Sequence, residues 1–424
     1  MIIESARDAL ETGPLCNSCL GRCFANRSFD LTNSTRGQSL RTTIHLIDDT
    51  SYEEPTEPCW VCDGYCDRYG EWAAKVLEEL SDIEFQTFQI GTRPPPLIEE
   101  NEALLHEEIE LSEDSSEKFK REFNREVGKR VENELEKEVD FERPDIKILL
   151  KLAANEVEIS INPAFVYGRY RKFSREIPQT EWPCSECNGT GYIEGDECSI
   201  CDGSGYRYEE SVEQLTTPPV REAMDGDEAI FHGAGREDID AKMLGSGRPF
   251  VIEVKNPRHR KIDVDTLESK INEYAGEKVE VDNLRLATYE MVERVKELSA
   301  SKTYRIQVEF SNPVEQENFE QAIERLEGAT IEQRTPQRVS HRRSDKIRER
   351  DVYAIDGELL DPTHAEITVK GEGGLYIKEL MTGDGGRTSP SLAGQIGMRT
   401  QPLKLDVIDV EGEDEEFENE EYFR

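Results

Sequence analysis

No stretch of the 424 residues is apolar over the length that crossing a bilayer requires, and the amino terminus, MIIESARDALETG, carries no basic segment followed by an apolar one. Membrane insertion and secretion are thereby disfavoured, and a cytoplasmic protein is expected. No glycine-rich loop follows a predicted strand; GEGG at Gly371 to Gly374 is short and precedes YIKEL. That argues against enzymes that cradle a nucleotide cofactor on such a loop, methyltransferases and sulfur-transfer enzymes among them. Positive charge is scarce as well: 52 Lys and Arg stand against 91 Asp and Glu, a formal net charge of -39. Binding to a polyanion normally calls for the opposite sign. In molar salt the Debye length falls to about 3 Å. An acidic surface then no longer repels a polyanion at a distance and aids solubility, so a halophilic host is expected. The carboxyl-terminal run Glu411 to Glu421 holds eight acids, too few to account for the excess.

Paired cysteine is what the chain has in abundance. Cys16/Cys19, Cys59/Cys62, Cys184/Cys187 and Cys198/Cys201 form four CxxC pairs, with Cys23 and Cys66 outside them. In a cytosolic protein two such pairs brought together read as a tetrahedral zinc site more readily than as disulfides. CSECNGTG and CSICDGSG repeat a C-x-x-C-x-G-x-G unit similar to the zinc repeats of DnaJ-type chaperones, in which the glycines permit tight knuckle turns. In the first region C-x-x-C-x-x-x-C occurs twice, giving six thiols where one ion needs four, and an iron–sulfur cluster is the lesser alternative. Neither group has the nearby general base of a zinc hydrolase or deaminase, so any zinc here is expected to be structural.

The segment most suggestive of chemistry is GREDIDAKMLGSGRPF, Gly235 to Phe250. Glycines at 233, 235, 245 and 247 bracket it, which predicts a loop that presents an acid. Asp238 follows Arg236 by two, and a neighbouring guanidinium would keep a partly buried carboxylate ionised, as a nucleophile or base requires. A charged surface turn fits the spacing equally well, and Glu237 and Asp240 are rival acids. Further on, Arg334 to Arg350 holds seven Arg or Lys in 17 positions. Arg334, Arg338, Arg342 and Arg343 are candidate phosphate contacts; the alternative is a solvated face paired with Asp345 and Glu349.

Four motifs occur in order: the GRED segment, KTY at Lys302 to Tyr304, RTPQRVSHRR at Arg334 to Arg343, and GLYIKELMTGDGGRTSPSL at Gly374 to Leu392. Together they resemble the archaeal and eukaryotic tRNA pseudouridine synthases that modify the T loop. The likeness extends upstream through GRYRKFSREIPQT, Gly168 to Thr180, and the cysteine region, so it spans nearly the whole chain. It implies isomerisation of uridine to pseudouridine at T-loop nucleotides 54 and 55, with no cofactor needed for catalysis. Asp238 would be the nucleophile. Tyr304 would stack on the flipped uracil and assist proton transfer, and Lys378 would pair with the catalytic Asp. Ile377 or Leu380 would pack on the ring, with Arg236 and Tyr376 also facing substrate. The resemblance also suggests Cys16, Cys19, Cys59 and Cys62 as one zinc set, leaving Cys23 and Cys66 as buried thiols, and Cys184, Cys187, Cys198 and Cys201 as the second. A monomer is expected, since a tRNA can bridge both halves of one chain.

The expected architecture is α+β in two parts. Residues 1–178 would form a zinc-binding, THUMP-containing tRNA-binding domain. Within it, helices are predicted at EWAAKVLEEL and over Ser115 to Lys137, a Pro-rich connector over Arg93 to Glu110, and two strands within Ile146 to Tyr170. Arg169, Arg171 and Lys172, interleaved with aromatics, would lie at its exposed end as contacts to single-stranded RNA; a strand with a snorkelling basic face fits the pattern equally well. Residues 179–424 would form a synthase domain on a mixed, mostly antiparallel sheet, with a zinc hairpin inserted at 183–210 and an acidic tail at 411–424. Strands are predicted at Phe250 to Val254, Arg305 to Phe310 and Ala365 to Lys370, and helices near Asp263 to Tyr274 and Glu315 to Leu326. The alternative function is a non-catalytic, zinc-containing tRNA-binding protein or chaperone. Loss of the Asp–Tyr–Lys set would have favoured it, and the set is intact.

Overall fold

A computed structural model describes residues 2–110, 115–340, 344–411 and 417–424. The chain divides into two compact units, Met1–Asn162 with Arg258–Arg260, and Pro163–Pro257 with Lys261–Arg424.

In the first unit the two expected helices form at Tyr69–Glu79 and Phe119–Leu135. Phe119, Phe123, Val127 and Val131 recur every four residues along the second and are all buried, so one stripe faces the core. The segment expected to be a Pro-rich connector is instead largely helical, Pro96–Glu108. Its prolines sit at the start, where a helix has no partner for the first N–H groups and loses nothing to Pro. A four-stranded sheet runs in the order Glu138–Val139, Thr87–Arg93, Ile146–Lys151, Glu156–Ile161, with Thr87–Arg93 parallel to both its neighbours. Ahead of it, the helices Asn17–Arg22 and Asn33–Asp48 touch backbone to backbone. A Cβ on Gly21 would lie 1.8 Å from the Asn33 carbonyl oxygen, and one on Gly37 would lie 1.9 Å from that of Asn17. Only glycine fits at that crossing.

The second unit is built on a mixed, mostly antiparallel ten-stranded sheet. Its order is Val279–Ala287, Ala164–Lys172, Ala241–Lys255, Thr400–Val410, Lys302–Phe310, His364–Gly371, Ile347–Asp361, Thr330–Arg334 and Thr388–Ser389, with Glu228–Gly233 paired to Ala241–Lys255 off that path. Helices Val264–Ala275 and Gln316–Leu326 lie close to where periodicity predicts them. Two apolar cores serve the sheet, one around Tyr170, Phe250 and Ile271, the other around Ile306, Phe319 and Ile367.

Two expectations are corrected by this sheet. Ala164–Lys172 is a third strand in Ile146 to Tyr170, and it belongs to the second unit, because it pairs along its length with Ala241–Lys255 and Val279–Ala287. The division therefore falls at Pro163, not after residue 178. Secondly, the glycine-bounded segment is a loop only as far as Asp240; from Ala241 it is strand. Gly245 (φ +62) and Gly247 (φ +76) mark a bulge beyond which this strand takes on a second partner. Residues 248–254 pair with Ala164–Tyr170; beyond the bulge Met243 still meets Lys172, while residues 241–243 also run parallel to Leu405–Val407. A Cβ on Gly245 would stand 1.8 Å from the Ile408 carbonyl oxygen. The strand switch aims the preceding loop, 234–240, over the middle of the sheet.

The last residues also fold. Phe417 is buried, and Glu418 accepts a hydrogen bond from the Tyr167 hydroxyl at 2.5 Å. No helix among the described residues is long and apolar enough to cross a membrane.

Candidate active site and thiol clusters

Loop 234–240 is fastened from beneath by groups that the sequence scatters from Tyr170 to Arg248. Glu237 is buried, forms an ion pair with Arg248 at 3.0 Å, and accepts hydrogen bonds from the Tyr170 hydroxyl at 2.9 and 3.1 Å. Lys172 is fully buried and donates to the carbonyls of Ile177 (3.0 Å), Asp238 (3.3 Å) and Ile239 (3.0 Å). Gln179 donates to the Gly235 carbonyl and to Tyr170, both at 2.8 Å, and Arg175 donates to the Asp240 carbonyl at 3.0 Å. With Glu237 pinned inward, the next side chain, Asp238, faces out into a cleft.

That cleft has a volume of about 610 Å³ and is walled by the loop, by Tyr304, by Arg338 and by the segment Gly374 to Lys378. Asp238 Oδ1 accepts from Arg338 at 2.9 Å, and its Oδ2 lies 3.3 Å from Lys378 Nζ. Arg338 is held in turn by Glu379 at 2.8 Å, and Lys378 lies 2.8 Å from both carboxylate oxygens of Asp240. Burial works against the charge on Asp238, but the two cations outweigh it and hold the carboxyl below the ordinary carboxylate range. Asp240 is 66% exposed against 30% for Asp238, so the rival acid sits in solvent. Burial pushes the Tyr304 phenol up to about 12, with Arg248 opposing and Asp238 and Glu237 adding to it. At neutral pH the hydroxyl is a donor.

Several expected site residues lie elsewhere or play other parts. Arg236 packs its guanidinium over the Trp182 ring at 4.9 Å; the cations that keep Asp238 ionised are Arg338 and Lys378. Arg338 reaches this carboxylate while its side chain stays 37% exposed. Tyr376 and Ile377 line the cleft, but Leu380 is fully buried in the core beneath and does not. Arg169, expected to be exposed, is buried and donates to the carbonyls of Ser246, Gly247 and Val410. Lys172 serves the loop from inside, and Arg171 pairs with Glu280 and Asp282. The GRYRKFSREIPQT motif thus braces the site from within. Arg334 is paired with Asp345, as the solvated-face alternative has it. Arg342 and Arg343 lie outside the described residues. Sequence reasoning missed Glu237, Arg248 and Arg338 as partners; the one signal was their adjacency to motif residues.

The family model for the Pus10 C-terminal region matches residues 165–411, and that for the archaeal Pus10 THUMP domain matches residues 72–151. The tRNA pseudouridine synthase Pus10 of Halorubrum lacusprofundi is 56% identical over 424 residues, covering 100% of this chain and 99% of that one. The chain belongs to the Pus10 family. The protein of the same name from Methanothrix thermoacetophila is 43% identical over 440 residues, covering 97% and 95% of the two chains, and that of Pyrococcus furiosus is 38% identical over 410 residues, covering 97% and 98%. The C-terminal match begins inside strand Ala164–Lys172, in accord with the division at Pro163, and the THUMP match lies within the first unit.

Two thiol clusters suit a metal. In the hairpin, the sulfurs of Cys184, Cys187, Cys198 and Cys201 lie within 4.8 Å of one another, with Cys184 to Cys198 at 3.9 Å and Cys187 to Cys201 at 3.7 Å. Four thiolates about 2.3 Å from a tetrahedral ion stand about 3.8 Å apart, so this set needs no rearrangement to take one. The N–H groups of Gly191 and Gly205 donate to the sulfurs of Cys187 and Cys201, both at 3.3 Å, which is what the repeated glycines are for.

In the first unit the four mutually close sulfurs belong to Cys16, Cys19, Cys62 and Cys66, with Cys16 to Cys62 at 3.8 Å. Cys66 joins this set, and Cys59, expected in it, is buried within side-chain reach of Cys16, Cys19 and Cys62. Arg22, fully buried between Glu102 and Glu122, donates to the sulfurs of Cys19 (3.5 Å) and Cys66 (3.7 Å) and balances thiolate charge there. Cys19→Ser, which removes a sulfur common to the expected and the observed sets, is expected to lose one metal equivalent per chain, as elemental analysis of the purified variant would read directly.

Proposed function

We propose that this chain is a tRNA pseudouridine synthase that isomerises uridine to pseudouridine in the T loop, at nucleotides 54 and 55, with Asp238 as nucleophile. The observation that carries the reading is a half-buried carboxylate, held ionised by Arg338 and Lys378, in a cleft that also contains Tyr304. The full-length likeness to proteins named tRNA pseudouridine synthase supplies the substrate class. Uracil must leave its helix stack to reach such a cleft, at a cost of a few kcal/mol, and Tyr304 offers the surface on which it stacks. The Asp238 carboxylate then bonds to the sugar C1′ as the N1–C1′ bond breaks, and the electron pair leaves on the uracil. The ring turns, its C5 attacks C1′ and displaces the carboxylate, and the proton lost from C5 is matched by the one gained at N1. Throughout, the protonated Tyr304 hydroxyl can donate to the detached ring, and Tyr376 and Ile377 limit its movement.

We further infer that the ion suited to both thiol clusters is zinc, which supplies structural cross-links and takes no part in the chemistry. Seven of the eight cysteines in the two sets are buried, and four thiolates fill a tetrahedral site with no open position for substrate.

The charge on Asp238 also sets a pH dependence. A carboxyl held below its ordinary value stays ionised as pH falls through 4, roughly the unperturbed Asp pKa, so the acid limb of kcat/KM lies below that point. The same shift gives stability that is present above the unfolded value and is lost as pH falls through the folded one. Arg338→Met removes one cation and is expected to move the acid limb upward, a change that a pH profile of single-turnover rates would detect. A limb already above pH 5 in the wild type would contradict the assignment. Production of pseudouridine on an unmodified tRNA transcript tests the function itself.

A further inference from the structure

Among the described residues, every other cation on the wall of the cleft is engaged. Arg248 holds Glu237 and the Ala234 carbonyl, Arg338 holds Asp238 and Glu379, Lys378 holds Asp238 and Asp240, and Arg236 lies over Trp182. Lys302 is different. It lines the same cleft from the first position of strand Lys302–Phe310. Among the described residues its ammonium has no carboxylate within ion-pair distance and no hydrogen-bond acceptor. Burial and the nearby Arg248 guanidinium pull it down to about 8, with Glu237 opposing. An enclosed, unpaired charge costs stability, and a residue of this kind is explained by an anion that arrives later.

Two geometrical facts say which anion. Lys302 and Tyr304 are two apart on one strand and so share a face, about 7 Å apart along it, on the order of the distance between a nucleobase and its own phosphate. Gly235, at φ +75, leaves the approach open: a Cβ there would stand 3.4 Å from Arg248 Nη1 and 3.5 Å from Lys302 Nζ. We propose that Lys302 binds a backbone phosphate flanking the flipped uridine, with Arg248 reinforcing the positive field and Gly235 keeping the entrance clear. The proposal rests on the synthase reading for the identity of the nucleotide. It gives a strongly acidic protein one preformed point at which RNA backbone charge is met inside the cleft, where salt screens it less than on the surface.

The test compares the wild type with Lys302→Gln and Lys302→Arg, titrating an unmodified tRNA transcript across the range of KCl in which all three stay folded. Lys302→Gln is expected to raise Kd about fivefold and to flatten the slope of log K against log [KCl] by about 0.7, the loss of one single-strand phosphate contact. Lys302→Arg keeps the slope. Removing an unpaired charge leaves Tm unchanged or higher, which a structural lysine would not do. A neutral methylphosphonate on one of the two phosphates flanking the target uridine should weaken the wild type and leave Lys302→Gln no weaker than before. Equal slopes for wild type and Lys302→Gln, a fall in Tm that tracks the loss of binding, or additive losses from the variant and both methylphosphonates would overturn the proposal. If the wild type made no pseudouridine while the slopes still differed, the synthase reading would fall and the phosphate site would stand.

Discussion

Asp238→Asn is expected to lower the single-turnover rate of pseudouridine formation by about 10⁴-fold or more while tRNA binding stays within a few-fold of the wild type. The amide has the size of the carboxylate but cannot bond to C1′ and be displaced again. Its loss does not strand the cations that hold it. Arg338 keeps Glu379, and Lys378 keeps both oxygens of Asp240. The variant should therefore fold, which makes the comparison clean. Asp240→Asn is the matched control: that side chain is mostly in solvent and its role is to steady Lys378, so a loss of less than about tenfold is expected, the scale of a surface ion pair. Equal losses for the two variants would remove the distinction between nucleophile and support.

The second large effect is on stability. Arg248 and Glu237 are both buried and face each other beneath the loop. Arg248→Met would leave the Glu237 carboxylate with the Tyr170 hydroxyl and Lys172, whose ammonium is 3.8 Å away and committed to carbonyls. Breaking a buried pair from one side costs about 3–5 kcal/mol, which for a unit of this size lowers Tm by roughly 10 °C. Arg171→Ala removes an exposed pair to Glu280 and Asp282 and is expected to cost less than about 1 kcal/mol. Differential scanning calorimetry in molar KCl would show both. A small shift for Arg248→Met would mean that the loop is held chiefly by Lys172 and Gln179.

Much of the candidate site was legible because it is built from short motifs. Asp238, Tyr304 and Lys378 stand where those motifs put them, on one cleft, although they are separated by up to 140 positions. The long alternating and amphipathic segments also declared themselves, as at Phe119–Leu135 and Gln316–Leu326. Less could be read where a residue has two physical uses. Basic residues among aromatics, at Arg169 to Lys172, look like an RNA-binding edge. The same pattern serves equally well when the cations reach inward to carbonyls, and only the pairing of that strand on both sides decides. Glycine was ambiguous in the same way: at Gly235 it opens a loop, whereas at Gly245 it permits a bulge within a strand. Proline misled at Pro96, where a start signal for a helix resembles a linker. The partners of buried charges were out of reach altogether, since Glu237 finds Tyr170 across 67 positions and Arg338 finds Asp238 across 100. That Cys66 joins the first thiol cluster beside a buried arginine is likewise not revealed by spacing.

The most direct measurement is to incubate the wild-type protein with an unmodified tRNA transcript in molar KCl and map pseudouridine at single-nucleotide resolution. The account predicts new pseudouridine in the T loop, at nucleotides 54 and 55, and nowhere else. A transcript that is bound but emerges with every uridine unchanged would contradict it, and the cleft around Asp238 would then be a place where RNA is held and not remade.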